Sequence, residues 1–273
     1  MSEIEIPDID RTAFAAAYGP WAVIAGASDG TGAEFAEQLA AMGINVVLAA
    51  RRGELLEELG SRLARQHGIE YRALVVDLTA PDAAQRLLDG SADLDVGLYV
   101  SNAGVLYPHS TFLGAEPDHL RRFIAMNVLT LTDVLYGFAG RFRERGRGGI
   151  LFVGSGAALG GSSHLAMYGA TKAFGQVLAE ALAAELEPEG VDVLAVLAPA
   201  MTTPSMVRAR NGVVPEGYGY TPHDSAAVML AALGRQTVLG FGEAQEQIAA
   251  QRAAHLVQSR EWGKALVAAG VAS

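Results

Sequence analysis

Tyr168 and Lys172 lie four residues apart in the run Tyr168-Gly169-Ala170-Thr171-Lys172. Of all the residue pairs in this chain, their types and spacing point most directly to chemistry. The chain has two lysines, Lys172 and Lys264, against eighteen arginines. Where arginine is the habitual cation, a retained lysine is informative. Lysine is a compact charge on a flexible stem with a tunable pKa; arginine is a broad planar fork that keeps its proton. On a helix, residues i and i+4 share a face. The Ala- and Leu-rich stretch 165–186 reads as one long helix that ends before Pro188 and Gly190. Tyr168 then falls in its first turn, with Lys172 one turn on. An ammonium beside a phenol stabilises the phenolate and brings the tyrosine pKa down from about 10 toward neutral. The result is a proton donor and acceptor for neutral pH. On spacing alone, an exposed Tyr–Lys pair with no role is the plain alternative.

Other residues suggest what such a pair would work with. Gly26-Ala27-Ser28-Asp29-Gly30-Thr31-Gly32 joins an apolar run to a helical one. Glycines there let a backbone approach a pyrophosphate, and the helix N-terminus favours its charge. A tight βα turn also uses glycine for geometry alone. The next apolar run ends Leu48-Ala49-Ala50-Arg51-Arg52. An acid at that point would hold ribose hydroxyls, whereas an arginine accommodates a 2′-phosphate. Arg51 and Arg52 therefore favour NADP over NAD; Asp29 weighs the other way, because a carboxylate repels that phosphate. Asp77-Leu78 and Asn102-Ala103-Gly104 close two further apolar runs, where open α/β sheets bind ligands. Asp77 fits a helix cap equally well. Asn127 is a polar amide inside an apolar helical stretch, which often only bonds the backbone. Ser155 precedes Tyr168 by thirteen residues, so both can face one cleft.

The elements that must position these groups follow from hydrophobic periodicity. Short apolar runs at 21–26, 44–49, 71–77, 96–101, 149–154 and 191–197 alternate with helical stretches at 31–42, 54–66, 118–142 and 165–186. Strands this apolar, separated by helices, describe a mostly parallel sheet covered on both faces. The expectation is one α/β domain spanning 1–273, a doubly wound three-layer sheet of about seven strands, the last near 237–239. Residues 199–222 look like a loop, and 242–273 like a polar helical tail. The chain has no Cys, and its six histidines show no metal-ligand spacing, so a metal site is not expected. A net charge of −10 disfavours nucleic acid as a partner. There is no signal-peptide pattern and no run of eighteen apolar residues, so the expectation is a cytoplasmic protein without a membrane span.

These residues together resemble the short-chain dehydrogenase/reductase family over about 18–240. The family turn T-G-x-x-x-G-x-G appears with Ala25 in place of Thr, and its N-N-A-G as Ser101-Asn102-Ala103-Gly104. The family's catalytic Asn, Ser, Tyr and Lys map in order onto Asn127, Ser155, Tyr168 and Lys172. Tyr18-Gly19-Pro20-Trp21-Ala22 and Asn45-Val46-Val47-Leu48 look like the branch of 3-ketoacyl reductases and 17β-hydroxysteroid dehydrogenases. The resemblance implies a Rossmann fold and NADP(H)-dependent interconversion of a ketone and a secondary alcohol. It implies that Tyr168 moves the oxygen's proton, Lys172 tunes it and binds nicotinamide ribose, Ser155 holds the carbonyl oxygen and Asn127 positions a water. Pro199 and Thr203 would border the nicotinamide, with Thr203 the carboxamide partner. It also implies a homodimer or homotetramer built on the helices near 118–142 and 165–186. Segment 199–222, with Met201, Met206, Val207, Val213, Val214, Tyr218 and Tyr220, is expected to form a lid over a bulky or extended apolar ketone or alcohol. The rival readings are a cofactor-binding sensor without turnover, or a dehydratase or epimerase on the same fold.

Overall fold

The computed structural model describes residues 5–104, 110–214 and 219–268. His109 and Tyr218 lie outside the described residues. The chain opens with helix α1 (Arg11–Tyr18), whose Asp10 cap accepts from the Ala13 amide. Strand β1 (Trp21–Ala25), helix α2 (Gly30–Ala41), strand β2 (Asn45–Ala50), helix α3 (Gly53–His67) and strand β3 (Tyr71–Val75) follow. Next come helix α4 (Ala83–Asp89) and strand β4 (Val96–Ser101), then helices α5 (Pro117–Ile124) and α6 (Leu131–Arg145) and strand β5 (Gly148–Val153). The remainder is helix α7 (Ala166–Leu186), strand β6 (Val191–Val196), helices α8 (Pro204–Ala209) and α9 (Pro222–Ala232), strand β7 (Val238–Leu239) and helix α10 (Glu243–Ala268).

The seven strands form one sheet in the order β3-β2-β1-β4-β5-β6-β7, and every pair is parallel. The order reverses between β1 and β4, which opens a crevice at the carboxyl ends of those strands. Alternate residues of each strand serve opposite layers. Ala22 and Ile24 of β1 join one core with Phe35 and Leu39 of α2, Leu63 of α3 and Met229 of α9. Val23 and Ala25 join the other, with Leu87 of α4, Phe138 and Phe142 of α6 and Ala179 of α7. Both faces of the inner strands are therefore dry, which is why they read as unbroken apolar runs, whereas edge strand β3 is only half-buried. This is a Rossmann-like three-layer fold, as the periodicity implies.

The elements differ from the sequence reading in four places. Helices α1 and α4 are short and were not anticipated. The expected continuous helix at 118–142 is broken by a π-helical turn at Ala125–Thr130, and Asn127 sits inside it. Segment 199–222 is not a plain loop: it holds α8, and Pro222 is the first residue of α9. The strand expected through Asp77 ends at Val75. The helical stretch Pro117–Arg145 is long and apolar enough by length and composition to cross a bilayer. It packs on the sheet through Val134, Leu135, Phe138 and Phe142, so it is a core helix of this fold.

Candidate active site

Strand β5 delivers Ser155 to the crevice. Ser155 caps a 3-10 turn at Gly156–Leu159, its Oγ accepting from the Ala157 amide at 3.1 Å. That bond uses a lone pair and leaves the hydroxyl proton free to be donated. Helix α7 delivers Tyr168 in its first turn, half-buried, edge-on to Phe123 with ring centroids 6.4 Å apart. One turn further, Lys172 is 3 % exposed. Its Nζ donates to the Val153 carbonyl at 2.8 Å and lies 5.4 Å from the centre of the Phe152 ring. Burial of the ammonium pushes its pKa down from 10.5 to about 8. Ser155, Tyr168 and Lys172 all line one cleft of about 1030 Å³.

Asn127 stands behind that wall. Its Nδ2 donates to the Gly104 carbonyl and to Thr171 Oγ1, each at 3.1 Å. The π-helical turn turns this amide inward, a use such turns often have at functional sites. A Cβ at Gly104 would collide with Lys172 Nζ and fall 3.2 Å from Asn127 Oδ1, so both groups converge on the space beside Gly104. A cavity of about 20 Å³ bounded by Asn127, Thr171 and Lys172 is large enough for one water molecule.

The opposite end of the cleft is built by the glycine turn. Gly26 and Gly30 have φ of 83° and 55°, conformations that L side chains rarely adopt. A Cβ at Gly32 would strike the Gly26 carbonyl and Asn102 Nδ2, so its glycine lets helix and strand meet. Gly30 and Gly32 thus shape the turn from behind, whereas Gly26, Ser28, Asp29 and Thr31 face the cleft. Asn102 Nδ2 donates to the Gly26 carbonyl at 3.2 Å, and the Ala103 amide to Ala25. Asp29 precedes α2 but makes no side-chain cap. Its carboxylate turns instead to Arg52, at 3.2 Å, and to Arg208 of α8. Desolvation raises the Asp29 pKa, but the hydrogen bonds from Arg208 and Arg52 outweigh it and leave the carboxyl below its usual range. The first amides of α2 are thereby left without that carboxylate, in the arrangement that receives a phosphate.

Arg51 and Arg52 line the cleft at the end of β2, and Arg52 also donates to Ser28 Oγ at 3.0 Å. Asp77 closes a turn, accepting from the Thr79 amide at 3.0 Å and Thr79 Oγ1 at 2.9 Å. Desolvation raises its pKa, while those bonds and the charges of Arg51 and Arg122 lower it further, so the net shift is downward. Asp77 is not a helix cap, since Asp82 stands at the N-cap of α4; its bonds close a local turn, and it borders the cleft beside Leu78. Pro199 and Thr203 line the cleft; the Thr203 side chain caps α8 through the Met206 amide and packs on Gly30. The residues present fit a dinucleotide: a cradle with no room for side chains at Gly26 and Gly32, open helix amides, and arginines at the adenosine end.

Segment 199–222 is less apolar toward the cleft than expected. Met201 and Met206 line it, but so do Ser205, Arg208 and Arg210. Val213 is exposed, and Tyr220 pairs with Met201, packs on the Phe241 ring and borders a different cavity. Arg208 and Gln245 were missed by the sequence reading. Neither carries a local signal, since each reaches the cleft from a distant helix.

The short chain dehydrogenase family model matches residues 20–213. A 7beta-hydroxysteroid dehydrogenase of Mediterraneibacter gnavus is 31% identical over 231 residues, which is 83% of this chain and 87% of that protein. A very-long-chain 3-oxoacyl-CoA reductase of Neurospora crassa is 36% identical over 204 residues, which is 72% of this chain and 61% of that protein. A solved short-chain dehydrogenase from Sphingobium yanoikuyae in complex with NADPH superposes with a TM-score of 0.78. It is 30% identical, with 88% of this chain and 96% of that chain covered. With a parallel seven-stranded sheet and a glycine turn opening onto a buried lysine and its tyrosine, the chain belongs to the short-chain dehydrogenase/reductase family, in its 3-ketoacyl reductase and hydroxysteroid dehydrogenase-like branch, and is an NAD(P)-dependent oxidoreductase of hydroxyl and keto groups.

Proposed function

We propose that this enzyme interconverts a ketone and a secondary alcohol with NADP(H), and that its substrate is bulky or extended and largely apolar. The observation that carries the reading is the shared cleft: Ser155, Tyr168 and Lys172 at one end, the glycine turn with Arg51 and Arg52 at the other. Gly26, Ser28, Thr31, Asn102 and Ala103 would hold the dinucleotide, and Arg51 and Arg52 its 2′-phosphate. Bound there, the nicotinamide supplies hydride. Ser155 donates its hydroxyl proton in a hydrogen bond to the carbonyl oxygen and fixes its place. Tyr168 gives that oxygen its phenolic proton, and Lys172 stabilises the phenolate left behind. Asn127 holds a water beside Lys172, through which the proton is replaced from solvent.

Substrate size is supported by the cleft volume and by Met126, Leu165, Met201 and Met206 on its walls. These flexible or branched side chains adapt to irregular apolar shapes. Apolar burial stabilises at about 25 cal/mol per Å². Catalytic efficiency with NADPH is therefore expected to rise across ketones of increasing apolar area. A flat or falling series, with small polar sugars reduced best, would refute the apolar reading.

The same proposal extends to assembly. Tyr136 is 84% exposed, Leu129 60% and Val177 58%, all on the π-helical turn, α6 and α7. Apolar residues so exposed on neighbouring helices suit a partner copy. The protein is expected to run as a dimer or tetramer in light scattering. Tyr136→Glu with Val177→Glu is expected to shift it toward monomer; a monomeric wild type would contradict the proposal.

A further inference from the structure

Gln245 belongs to α10, far in sequence from the other cleft residues, yet its side chain lines the cleft. The Phe241 amide donates to its Oε1 at 3.1 Å. An amide N–H must meet oxygen, so this bond decides which way the carboxamide faces. Nε2 is thereby turned toward Gly156, where an added Cβ would fall 2.6 Å from it. Gly156 has no positive φ, so its missing side chain serves space and not backbone strain. Among the described residues, no acceptor takes the Nε2 protons. A donor pair is thus held, half-buried, on the floor next to Ser155.

The helix that carries it is anchored independently. Arg252, two turns further along α10, makes paired bonds of 2.9 and 3.1 Å to Glu180 of α7, which is 8% exposed. Gln176 donates to the same carboxylate at 2.9 Å. The helix that carries the catalytic tyrosine and lysine therefore also registers Gln245. One guanidinium nitrogen of Arg252, Nη1, engages both oxygens of Glu180 and Gln176 holds one of them, so α10 is tied to α7 at this point.

The geometry points to Gln245 as a specificity residue that recognises a second oxygen atom on the substrate. This rests on the ketone reading above. The substrate class is a fused-ring or extended ketone bearing a hydroxyl or carbonyl acceptor in addition to the reacting carbonyl. A site built to bond such an oxygen rejects analogues that lack it, because its donor is then left unpaired.

The test uses the full chain, NADPH, a fused-ring hydrocarbon ketone and analogues carrying one methoxy group, whose oxygen only accepts, at successive ring positions. Gln245→Glu keeps an oxygen for the Phe241 amide and removes the donor. For at least one methoxy position, wild type is expected to prefer the analogue. In Gln245→Glu, kcat/KM for that analogue relative to the parent is expected to fall about tenfold, mainly through KM. Gln245→Leu, which loses the anchor as well, is expected to show the same loss of preference together with a lower Tm. If no position loses more than twofold in relative kcat/KM, or if both substrates lose equally in Gln245→Glu, the role is only structural and the inference falls. If wild type reduces none of these ketones, the ketone reading falls and this inference with it.

Discussion

Tyr168→Phe is expected to lower ketone reduction by three orders of magnitude or more while cofactor affinity stays nearly unchanged. A positioned general acid contributes about 10²–10⁴-fold, and the substitution removes the one acidic hydroxyl and little else. Lys172→Arg is expected to fail as well, although it keeps the charge. Lys172 is buried against the Phe152 ring and the Val153 carbonyl, where a guanidinium is too broad. Activity of Lys172→Arg within twofold of wild type would refute the role given to the ammonium. The pH profile provides a second check. Burial lowers the Lys172 pKa to about 8, so the side chain is charged below that pH and neutral above it. If the charge holds the phenolate, kcat/KM for reduction falls as pH rises through about 8, which reports the free enzyme. An exposed lysine would hold its charge to about 10.4. A profile level to pH 9.5 would argue against the buried ammonium as the titrating group.

Arg51→Ala is expected to weaken NADPH binding tenfold or more, and NADH binding far less. A charge-assisted contact with phosphate contributes about 1.5–3 kcal/mol. The worry attached to Asp29 is that its carboxylate repels a 2′-phosphate. Arg52 and Arg208 both bond that carboxylate, so its charge is met locally and Arg51 is left beside the cleft. Arg52→Ala is expected to act twice, by removing a cation and by exposing the charge of Asp29. Fluorescence titration with both cofactors checks this. Equal affinity of the wild type for NADH and NADPH would mean that the arginines do not select the phosphate.

The sequence by itself determined the sheet, the glycine turn and the Tyr168–Lys172 pair, because each is written in local spacing. Strands dry on both faces must be apolar throughout, so β1, β2, β4, β5 and β6 were legible to within two residues. Tyr168 and Lys172 share a helix, and a four-residue interval carries their geometry. What the tertiary structure decided is everything that joins distant segments. The π-helical turn at Asn127 depends on packing of that stretch against Gly104 and Thr171, which a helical pattern does not encode. Asp29 reads in sequence as an obstacle to phosphate, but Arg208, 179 residues away, bonds its carboxylate. Segment 199–222 carries apolar residues in sequence, but some of them lie away from the cleft and arginines line it. Gln245 had no signal at all, since an amide on a polar tail acquires a role only when Glu180 and Arg252 dock that tail and Phe241 orients it. Periodicity is a property of neighbours along the chain, whereas the charge balance and donor set of the cleft arise from side chains that only folding brings together.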